Sequence, residues 1–249
     1  MRRLKLTIFR YDPADAESKP HYQEYLIDET PRMSIYNALD YIQSNIDPSI
    51  YFDTVCRSNV CGSCAINING QPKLACRTQT STLPAKILLE PLTYFPLIKD
   101  LCTDKAHYFF NLIRRIEGWS QMQEEFNPEQ EHLVSEEEIL PVYEADRCIE
   151  CGICLEACGA AKFDHEYLGA AGINRVWRFA ADPRDSRGVK GMLEHLATEQ
   201  GVFGCEAMLG CRDFCPKDIE LPKVIGKLRA KVVRQVIINS LKDLIHVKR

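Results

Sequence analysis

The stretch "CIECGICLEAC" covers residues 148–158 and places four cysteines at intervals of three, three and four residues. They are Cys148, Cys151, Cys154 and Cys158. Thiolates at this spacing typically hold a cubane iron–sulfur cluster, and where two clusters are bound the fourth cysteine of each run crosses to the other cluster. The stretch therefore predicts a second run of the same spacing elsewhere in the chain.

The second run is "CEAMLGCRDFC", residues 205–215, and it lacks one cysteine. Cys205, Cys211 and Cys215 match the spacing of the first run, and Met208 stands where Cys151 stands in it. Pro216 follows the last cysteine, as is usual for this pattern, whereas Gly159 follows Cys158. The spacing predicts that both runs bind clusters and that they differ by one thiolate.

Exchange of the fourth cysteines assigns the ligands of two clusters. A 4Fe–4S cluster receives Cys148, Cys151, Cys154 and Cys215, and the remaining thiolates are Cys158, Cys205 and Cys211. A neutral methionine thioether is a poor ligand for a cubane iron, so the corner at Met208 is predicted to stay vacant. Three thiolates favour a 3Fe–4S cluster, and their smaller negative charge predicts a higher reduction potential than that of its neighbour.

An earlier cysteine group has a different spacing, with members Cys56, Cys61, Cys64 and Cys76. This is the plant-type pattern for a 2Fe–2S cluster. The Asn69-Gly70 turn is expected to return the chain so that the last cysteine reaches the loop, and Gly62 is expected to let backbone approach the cluster. A zinc site or two disulfides are the alternatives, although zinc ligands usually come as two closely spaced pairs.

Composition favours a reduced, globular chain of 249 residues with 45% hydrophobic residues, 12 cysteines and a net charge of −4. Nothing in this charge points to nucleic acid. The N-terminus "MRRLKLTIFR" has no apolar h-region, and no apolar run approaches the length of a membrane span. Clustered cysteines in a cytosolic chain more often bind metal than form disulfides. Cys102 stands outside every pattern and is expected to be a small buried apolar residue, and no catalytic residue stands out.

The first hundred residues are predicted to be rich in β-structure. "LKLTIF" and "HYQEYLID" are predicted strands, "CAINING" runs as a strand into the turn, and "KILLEPL" is the expected last strand. Between them, "SIYNALDYIQSNI" predicts a helix with Ser34 as its N-cap. Its apolar face is expected to contain Ile35, Leu39, Ile42 and Ile46.

The rest of the chain is predicted to be helical. Residues 117–146 contain ten acidic residues and no Lys or Arg, which indicates an exposed connection with some helix. "VKGMLEHLATEQ" and the tail from Leu221 are expected helices, the tail with an apolar stripe of Val224, Leu228, Val232, Val236 and Ile237. The basic excess of residues 217–249 fits either a surface helix or a face toward anionic lipid or an acidic partner.

The motifs "CRSNVCGSC", "LAC", "RCIECGICLEAC" and "CEAMLGCRDFCPK" together resemble the iron–sulfur subunit of succinate dehydrogenase and fumarate reductase over essentially the whole chain. The resemblance implies an α+β chain: a β-grasp, plant-type ferredoxin domain over residues 1–105 and an all-α, two-cluster ferredoxin domain over 106–249. It implies an electron-transfer subunit of a membrane-bound enzyme that exchanges electrons between quinol and the FAD of a flavoprotein subunit. The fumarate and succinate chemistry would take place on that partner.

The resemblance also implies where each cluster lies: the 2Fe–2S cluster nearest the flavin, and the 3Fe–4S cluster nearest the quinone. A cytochrome b anchor with haem b, using menaquinone, would hold the chain peripherally at the cytoplasmic face of the membrane. "GAAGINRVWRF" (169–179), "GVFGC" (201–205) and the Cys158-Gly159 junction are similar to fumarate reductases with one di-haem cytochrome b. Phe163 and Glu206 replace the Trp pair and His of many relatives, so no quinone site is assigned to this chain.

Three alternatives stay open at this point. The same subunit could work as a succinate dehydrogenase, passing electrons from succinate to quinone. It could be a ferredoxin-like subunit of another flavin-linked oxidoreductase. A zinc-stabilised interaction protein is the alternative from a different class.

Overall fold

The structure is a computed structural model, which describes residues 2–122, 129 and 131–246, with side chains described up to residue 242. The chain divides into two compact units. The first unit comprises Met1–Phe109 and Ile149–Ala157, and the second comprises Phe110–Cys148 and Cys158–Arg249.

The first unit contains all seven strands of the described residues. The strands are β1 (Arg3–Arg10), β2 (His21–Asp28), β3 (Ala65–Ile68), β4 (Gln71–Leu74), β5 (Lys86–Glu90), β6 (Leu97–Lys99) and β7 (Cys102–Thr103). The helix α1 (Ile35–Asn45) lies between β2 and β3 along the chain. The expected strands and helix are confirmed, but "KILLEPL" does not contain the last strand, because β6 and β7 follow it as a separate short pair.

The main sheet has the strand order β2-β1-β5-β3-β4. The two chain-adjacent pairs, β1–β2 and β3–β4, are antiparallel, whereas β1 and β5 pair in parallel. Leu4, Leu6 and Ile8 of β1 are fully buried, which confirms the alternation seen in the sequence. Apolar burial on this one face supplies the core of the unit.

Helix α1 begins as the sequence predicted. The Ser34 side chain accepts a hydrogen bond from the backbone N–H of Asn37, and the Asn37 side chain accepts from the Ser34 backbone in return. Ile35, Leu39 and Ile42 are buried in the core. Ile46 was wrongly assigned to this face: the helix ends at Asn45, and Ile46 is 49% exposed.

The turn at Asn69 and Gly70 joins β3 to β4, and both residues have left-handed backbone, with φ of 51° and 73°. Two successive positive φ angles are the requirement of a tight type I′ hairpin. The hairpin returns the chain until the Ala75 N–H bonds the Cys64 carbonyl at 3.0 Å, next to Cys76. The expected return to the cysteine loop is therefore confirmed.

The described elements after β7 are helical. They are α2 (Lys105–Arg115), α3 (Glu136–Asp146), α4 (Ile153–Glu156), α5 (Gly159–Phe163), α6 (Gly169–Ala180), α7 (Gly188–Gly191), α8 (Leu193–Leu196), α9 (Gly210–Asp213) and α10 (Leu221–His246). A sheet-containing part followed by helices gives an α+β chain, as predicted. None of the helices within the described ranges is both long and apolar enough to cross a bilayer.

Helix α10 is confirmed, but its buried stripe differs from the predicted one. Leu228 and Val232 are fully buried as expected, together with Leu221 and Ile225. The helical period of 3.6 residues joins these four positions into one face and leaves the last two predicted members, Val236 and Ile237, exposed. Lys231 lies over the Trp177 ring at 5.0 Å, a cation–π contact between α10 and α6.

Two further predictions concern loops. "VKGMLEHLATEQ" does not form one helix, because Met192 leaves helical geometry with φ −109° and ψ 10° and separates α7 from α8. The acidic connection contains α3, which Ser135 and Glu138 cap reciprocally. The part of this connection at residues 123–128 and 130 lies outside the described residues.

Candidate iron–sulfur sites

The loop of the first cysteine group folds around the sulfur of Cys56. The backbone N–H groups of Ser58, Val60 and Cys61 donate to Cys56 Sγ at 3.4, 3.3 and 3.2 Å. Arg57 and Asn59 have left-handed φ angles of 57° and 61°, and such alternation turns successive N–H groups toward one side, as in anion-binding nests. These backbone donors lower the pKa of Cys56 to about 6, so the loop favours the thiolate that iron requires.

The other three cysteines of this group lie beside the same loop. The Asn59 N–H donates to Cys76 Sγ at 3.3 Å. Burial raises the pKa of Cys64 to about 12, and the Cys76 N–H acts in the opposite direction. The Cys61 thiol contributes to the lowered pKa of Cys56. The structure therefore brings all four predicted residues together, and the N–H donors around their sulfurs suit a negatively charged iron–sulfur core.

Gly62 has φ of 76° and a close neighbour that the sequence did not indicate. A Cβ at this position would stand 2.7 Å from the Ile149 carbonyl oxygen and 2.9 Å from the Cys151 Cβ. Both neighbours belong to the first unit. Any side chain here would push the loop away from the segment that carries Cys151, and a positive φ adds to the requirement for glycine.

Two residues near this loop were missed by sequence reasoning. Ser63 Oγ lies 3.1 Å from Cys61 Sγ, so its hydroxyl can donate to the thiolate. The largely buried Lys105 donates from Nζ to the Ser63 carbonyl at 2.8 Å. The position of Ser63 within "CGSC" is the sequence feature that could have indicated its contact with Cys61. The contact between Lys105 and Ser63 joins residues far apart in the sequence, so no local pattern indicates it.

The two later cysteine runs share one backbone pattern. Glu150 and Gly152 have φ of 51° and 78°, and the residues at the same offsets in the other run, Ala207 and Leu209, have φ of 53° and 63°. A four-residue helix follows in each case, α4 and α9. This agreement is independent of the cysteine spacing, and it places Met208 at the same position in its loop as Cys151.

The three cysteines assigned to the third cluster converge within the second unit. Cys158, Cys205 and Cys211 line one cavity of about 230 Å³, together with Tyr167 and Met208. Burial raises the pKa of Cys211 to about 11, and the thiols of Cys158 and Cys205 add to the effect. A group of converging thiols fits an iron core, because bound metal stabilises the thiolates.

Met208 lines this cavity while its side chain stays 63% exposed. It lies over Gly159, where an added Cβ would be 3.0 Å from the Met208 Sδ. The side chain of Met208 therefore packs against Gly159, the glycine that follows Cys158, and leaves little room for a side chain there. No charge is offered by the thioether at this corner.

Arg229 of α10 holds the backbone that leads into the third run. Its guanidinium donates to the carbonyl oxygens of Val202 at 2.7 Å and Cys205 at 3.0 Å. The side chain also lines the cysteine cavity. Sequence reasoning missed this role, because Arg229 lies within the basic tail of residues 217–249.

The four residues assigned to the 4Fe–4S cluster are divided between the two units. Cys151 and Cys154 are buried in the first unit, and Cys148 and Cys215 belong to the second. Burial raises the pKa of Cys148 to about 11, with Cys215 contributing as its neighbour. The first-unit half of the set is buried, whereas Cys148 and Cys215 are partly exposed.

Glu156 fixes the segment that carries Cys154 inside the first unit. Its buried carboxylate accepts hydrogen bonds from Asn67 Nδ2 at 3.0 Å, Thr93 Oγ1 at 3.0 Å and the Tyr94 N–H at 2.8 Å. A buried charge of this kind is tolerated only when it is fully hydrogen-bonded. This clamp was not predicted, because its partners are distant in sequence.

All twelve cysteines fall within the described part of the chain, and each is a free thiol. Cys102 is buried as expected, and burial raises its pKa to about 12. Across residues 2–122, 129 and 131–246, no group of three or more His, Cys, Asp or Glu side chains is close enough to hold a single metal ion. An iron–sulfur core differs from a single ion in separating its thiolates by the width of the core.

A plant-type cysteine loop beside a β-sheet, followed by two ferredoxin-type runs among helices, defines a multi-cluster iron–sulfur electron-transfer protein. Family models agree: residues 5–110 match a 2Fe–2S iron–sulfur cluster binding domain, and residues 144–219 match a 4Fe–4S dicluster domain. The chain is 44% identical to the fumarate reductase iron–sulfur subunit of Wolinella succinogenes, covering 93% of this chain and 98% of that one. It is 31% identical to the succinate dehydrogenase iron–sulfur subunit of Coxiella burnetii, covering 93% and 98%.

The chain therefore belongs to the family of fumarate reductase and succinate dehydrogenase iron–sulfur subunits, and it is an electron-transfer subunit of an oxidoreductase. The fold also matches a chain of the Mycobacterium smegmatis Sdh1 complex in the apo form, with a TM-score of 0.84 at 23% identity. That match covers 94% of this chain and 96% of the other.

Proposed function

We propose that this chain is the iron–sulfur subunit of a membrane-bound fumarate reductase. It would relay electrons from quinol to the FAD of a fumarate-reducing flavoprotein subunit through 3Fe–4S, 4Fe–4S and 2Fe–2S clusters. The observation that carries the proposal is the shared backbone pattern of the two later cysteine runs, one of which has Met208 in place of a thiolate. The 44% identity to a fumarate reductase subunit supports the choice of reaction.

The proposed ligand sets use eleven of the twelve cysteines. Cys56, Cys61, Cys64 and Cys76 would hold the 2Fe–2S cluster; Cys148, Cys151, Cys154 and Cys215 the 4Fe–4S cluster; and Cys158, Cys205 and Cys211 the 3Fe–4S cluster. These clusters supply one-electron transfer. The protein contributes position, burial and hydrogen bonds, which set the potential of each centre.

The proposed domains follow the cysteine groups. Residues 1–105 would be a β-grasp, plant-type ferredoxin domain, supported by the mixed five-stranded sheet with its single described helix α1. Residues 106–249 would be an all-α ferredoxin domain that carries the other two clusters. The family-model ranges 5–110 and 144–219 support a division near this point.

The proposed partners are two. A flavoprotein subunit would contain FAD and perform the chemistry, as family membership implies. A cytochrome b anchor, of the di-haem type, would bring haem b and menaquinone close to the 3Fe–4S cluster and hold the chain at the cytoplasmic face of the membrane. Quinol oxidation releases two electrons and two protons, and reduction of fumarate to succinate consumes the same number.

Succinate oxidation is the second candidate, because the Coxiella burnetii relative is named a succinate dehydrogenase subunit. The ligand sets would be unchanged, and only the direction of flow would differ. The potentials of the clusters and of the quinone determine that direction.

Purification of the membrane complex through a tag on this chain tests the proposal. We expect a co-purifying FAD protein, non-haem iron with acid-labile sulfide, and faster quinol:fumarate than succinate:quinone turnover. The reverse ratio would favour the dehydrogenase. A flavoprotein without either activity would identify another oxidoreductase, and zinc in place of iron and sulfide would overturn the cluster assignment.

A further inference from the structure

Tyr167 is a buried phenol at the cavity of the third cysteine group. Its side chain is 3% exposed, and it lines the same cavity as Cys158, Cys205 and Cys211. Burial raises the pKa of the phenol, and the neighbouring Cys205 and Cys158 thiols add to this effect. A buried tyrosine hydroxyl requires a polar partner, and Cys205, a proposed cluster ligand that lines the same cavity, can be that partner.

The surroundings of Tyr167 fix the position of its ring. An added Cβ at Gly204 would stand 2.8 Å from Cδ2 and 3.1 Å from Cε2 of the ring, so the backbone next to Cys205 packs directly on it. On the other side, the Tyr167 N–H bonds the Asp164 carbonyl at 3.1 Å. The next residue, Leu168, donates its N–H to the Gln200 carbonyl at 2.8 Å. These contacts hold the ring of Tyr167 beside the cavity that Cys205 lines.

We propose that Tyr167 is a positioning residue that raises the reduction potential of the cluster held by Cys158, Cys205 and Cys211, through a hydrogen bond from its hydroxyl to Cys205 Sγ. The inference rests on the proposed function, since it requires a cluster at this site. It adds to that function a named donor that sets the driving force of one electron-transfer step.

The physical reason is the charge on sulfur. One electron added to the centre increases the negative charge on the coordinating sulfurs, and a hydrogen bond to sulfur becomes stronger with that charge. The hydroxyl therefore stabilises the reduced state more than the oxidised state. The phenol is 3% exposed, and the backbone at Gly204 packs on its ring.

The test is a potentiometric EPR titration of the intact complex carrying Tyr167→Phe. This variant keeps the ring and its packing and removes only the donor. We expect the equilibrium constant for reduction of the 3Fe–4S centre to fall by up to about tenfold, which is about 59 mV for a one-electron couple. The potentials of the 2Fe–2S and 4Fe–4S centres should stay unchanged.

Tyr143→Phe is the matched control, because Tyr143 lies in the same unit but is 63% exposed and does not line the cavity. It should leave all three potentials unchanged. A 3-fluorotyrosine introduced at position 167 tests the sign, since fluorine makes the hydroxyl a stronger donor and should raise the 3Fe–4S potential.

The outcomes separate this inference from the function on which it rests. A normal 3Fe–4S signal whose potential is the same in wild type and Tyr167→Phe would overturn the role of Tyr167. A fall in Tyr167→Phe without a rise for fluorotyrosine would assign the effect to packing and would also overturn it. Absence of any 3Fe–4S signal from the wild-type complex would instead contradict the proposed function.

Discussion

Under the proposed ligand assignment, Met208 determines which cluster the third cysteine group can hold. It occupies the backbone position that Cys151 occupies in the other run, and its thioether carries no charge. An iron at this corner would lack a protein thiolate, while Cys158, Cys205 and Cys211 still line the cavity. Under the proposed ligand assignment, the identity of this one side chain would separate a centre of high potential from one of low potential.

Met208→Cys supplies the missing thiolate at this corner. We expect a fourth iron to be retained, the oxidised 3Fe–4S EPR signal to disappear, and the potential of the centre to fall because negative charge is added. Met122→Cys, at a half-exposed methionine away from the cysteine cavity, is the control and should change neither property. An unchanged spectrum and potential in Met208→Cys would count against the alignment of the two runs.

Ser63 is a single residue that contacts a cysteine of the first group. Its hydroxyl lies 3.1 Å from Cys61 Sγ, and hydrogen bonds to sulfur raise the potential of an iron–sulfur centre. Ser63→Ala should therefore lower the midpoint potential of the 2Fe–2S centre, measured by EPR titration of the complex. Ser58→Ala is a control from the same loop, because the Ser58 hydroxyl bonds the Cys56 carbonyl rather than a sulfur. Equal shifts in both variants would contradict this explanation.

At the scale of elements, Glu156 links α4 to the sheet-containing unit. Its carboxylate satisfies three donors from Asn67, Thr93 and Tyr94, all far away along the chain. Three hydrogen bonds to one buried charge hold the Cys154 segment more firmly than the four-residue helix could hold itself.

Glu156→Ala removes the shared acceptor of these three hydrogen bonds. We expect the free energy of unfolding of the first unit to fall by about 3 kcal/mol or more, measured by denaturant titration of the cluster-loaded chain. Glu17→Ala, at an exposed position in the same unit, should change it by less than about 0.5 kcal/mol. A similar small change for both variants would show that Glu156 does not stabilise the unit.

Local patterns predicted most elements of the first unit because local rules determine them. The alternation of apolar and polar residues predicted β1, and Ser34 predicted the N-terminus of α1. The Asn69-Gly70 dipeptide predicted the hairpin turn. The short pair β6–β7 has too few residues for a pattern to emerge. The break at Met192 was missed because the surrounding composition favours a helix.

For the cysteine sites, spacing in the sequence predicts the cysteines, whereas the residues around them are brought together only by folding. The cysteine positions are readable because the chemistry demands fixed intervals. Tyr167, Arg229 and Glu156 were not readable, since each acts across a long stretch of chain. The left-handed backbone of Leu209 was hidden as well, because leucine rarely adopts it and only the comparison with Gly152 explains it.

At the scale of the whole molecule, the chain is an arrangement of ligand sets with graded surroundings. In the first proposed set, backbone N–H groups donate to the sulfurs. The set proposed for the 4Fe–4S cluster has two buried and two partly exposed cysteines, and the three cysteines of the third set line one cavity. Membership in the family of fumarate reductase and succinate dehydrogenase iron–sulfur subunits agrees with a relay of several centres. The chemistry would then depend on the partner subunit, and this chain would set the driving force.

We propose that eleven cysteines hold three different clusters, with a 3Fe–4S centre at the Met208 corner. Redox titration of the purified complex, followed by EPR, is the decisive test. We expect a 2Fe–2S signal and a 4Fe–4S signal that appear on reduction, and a 3Fe–4S signal present in the oxidised state with the highest potential of the three. An intact complex with no oxidised 3Fe–4S signal would contradict it.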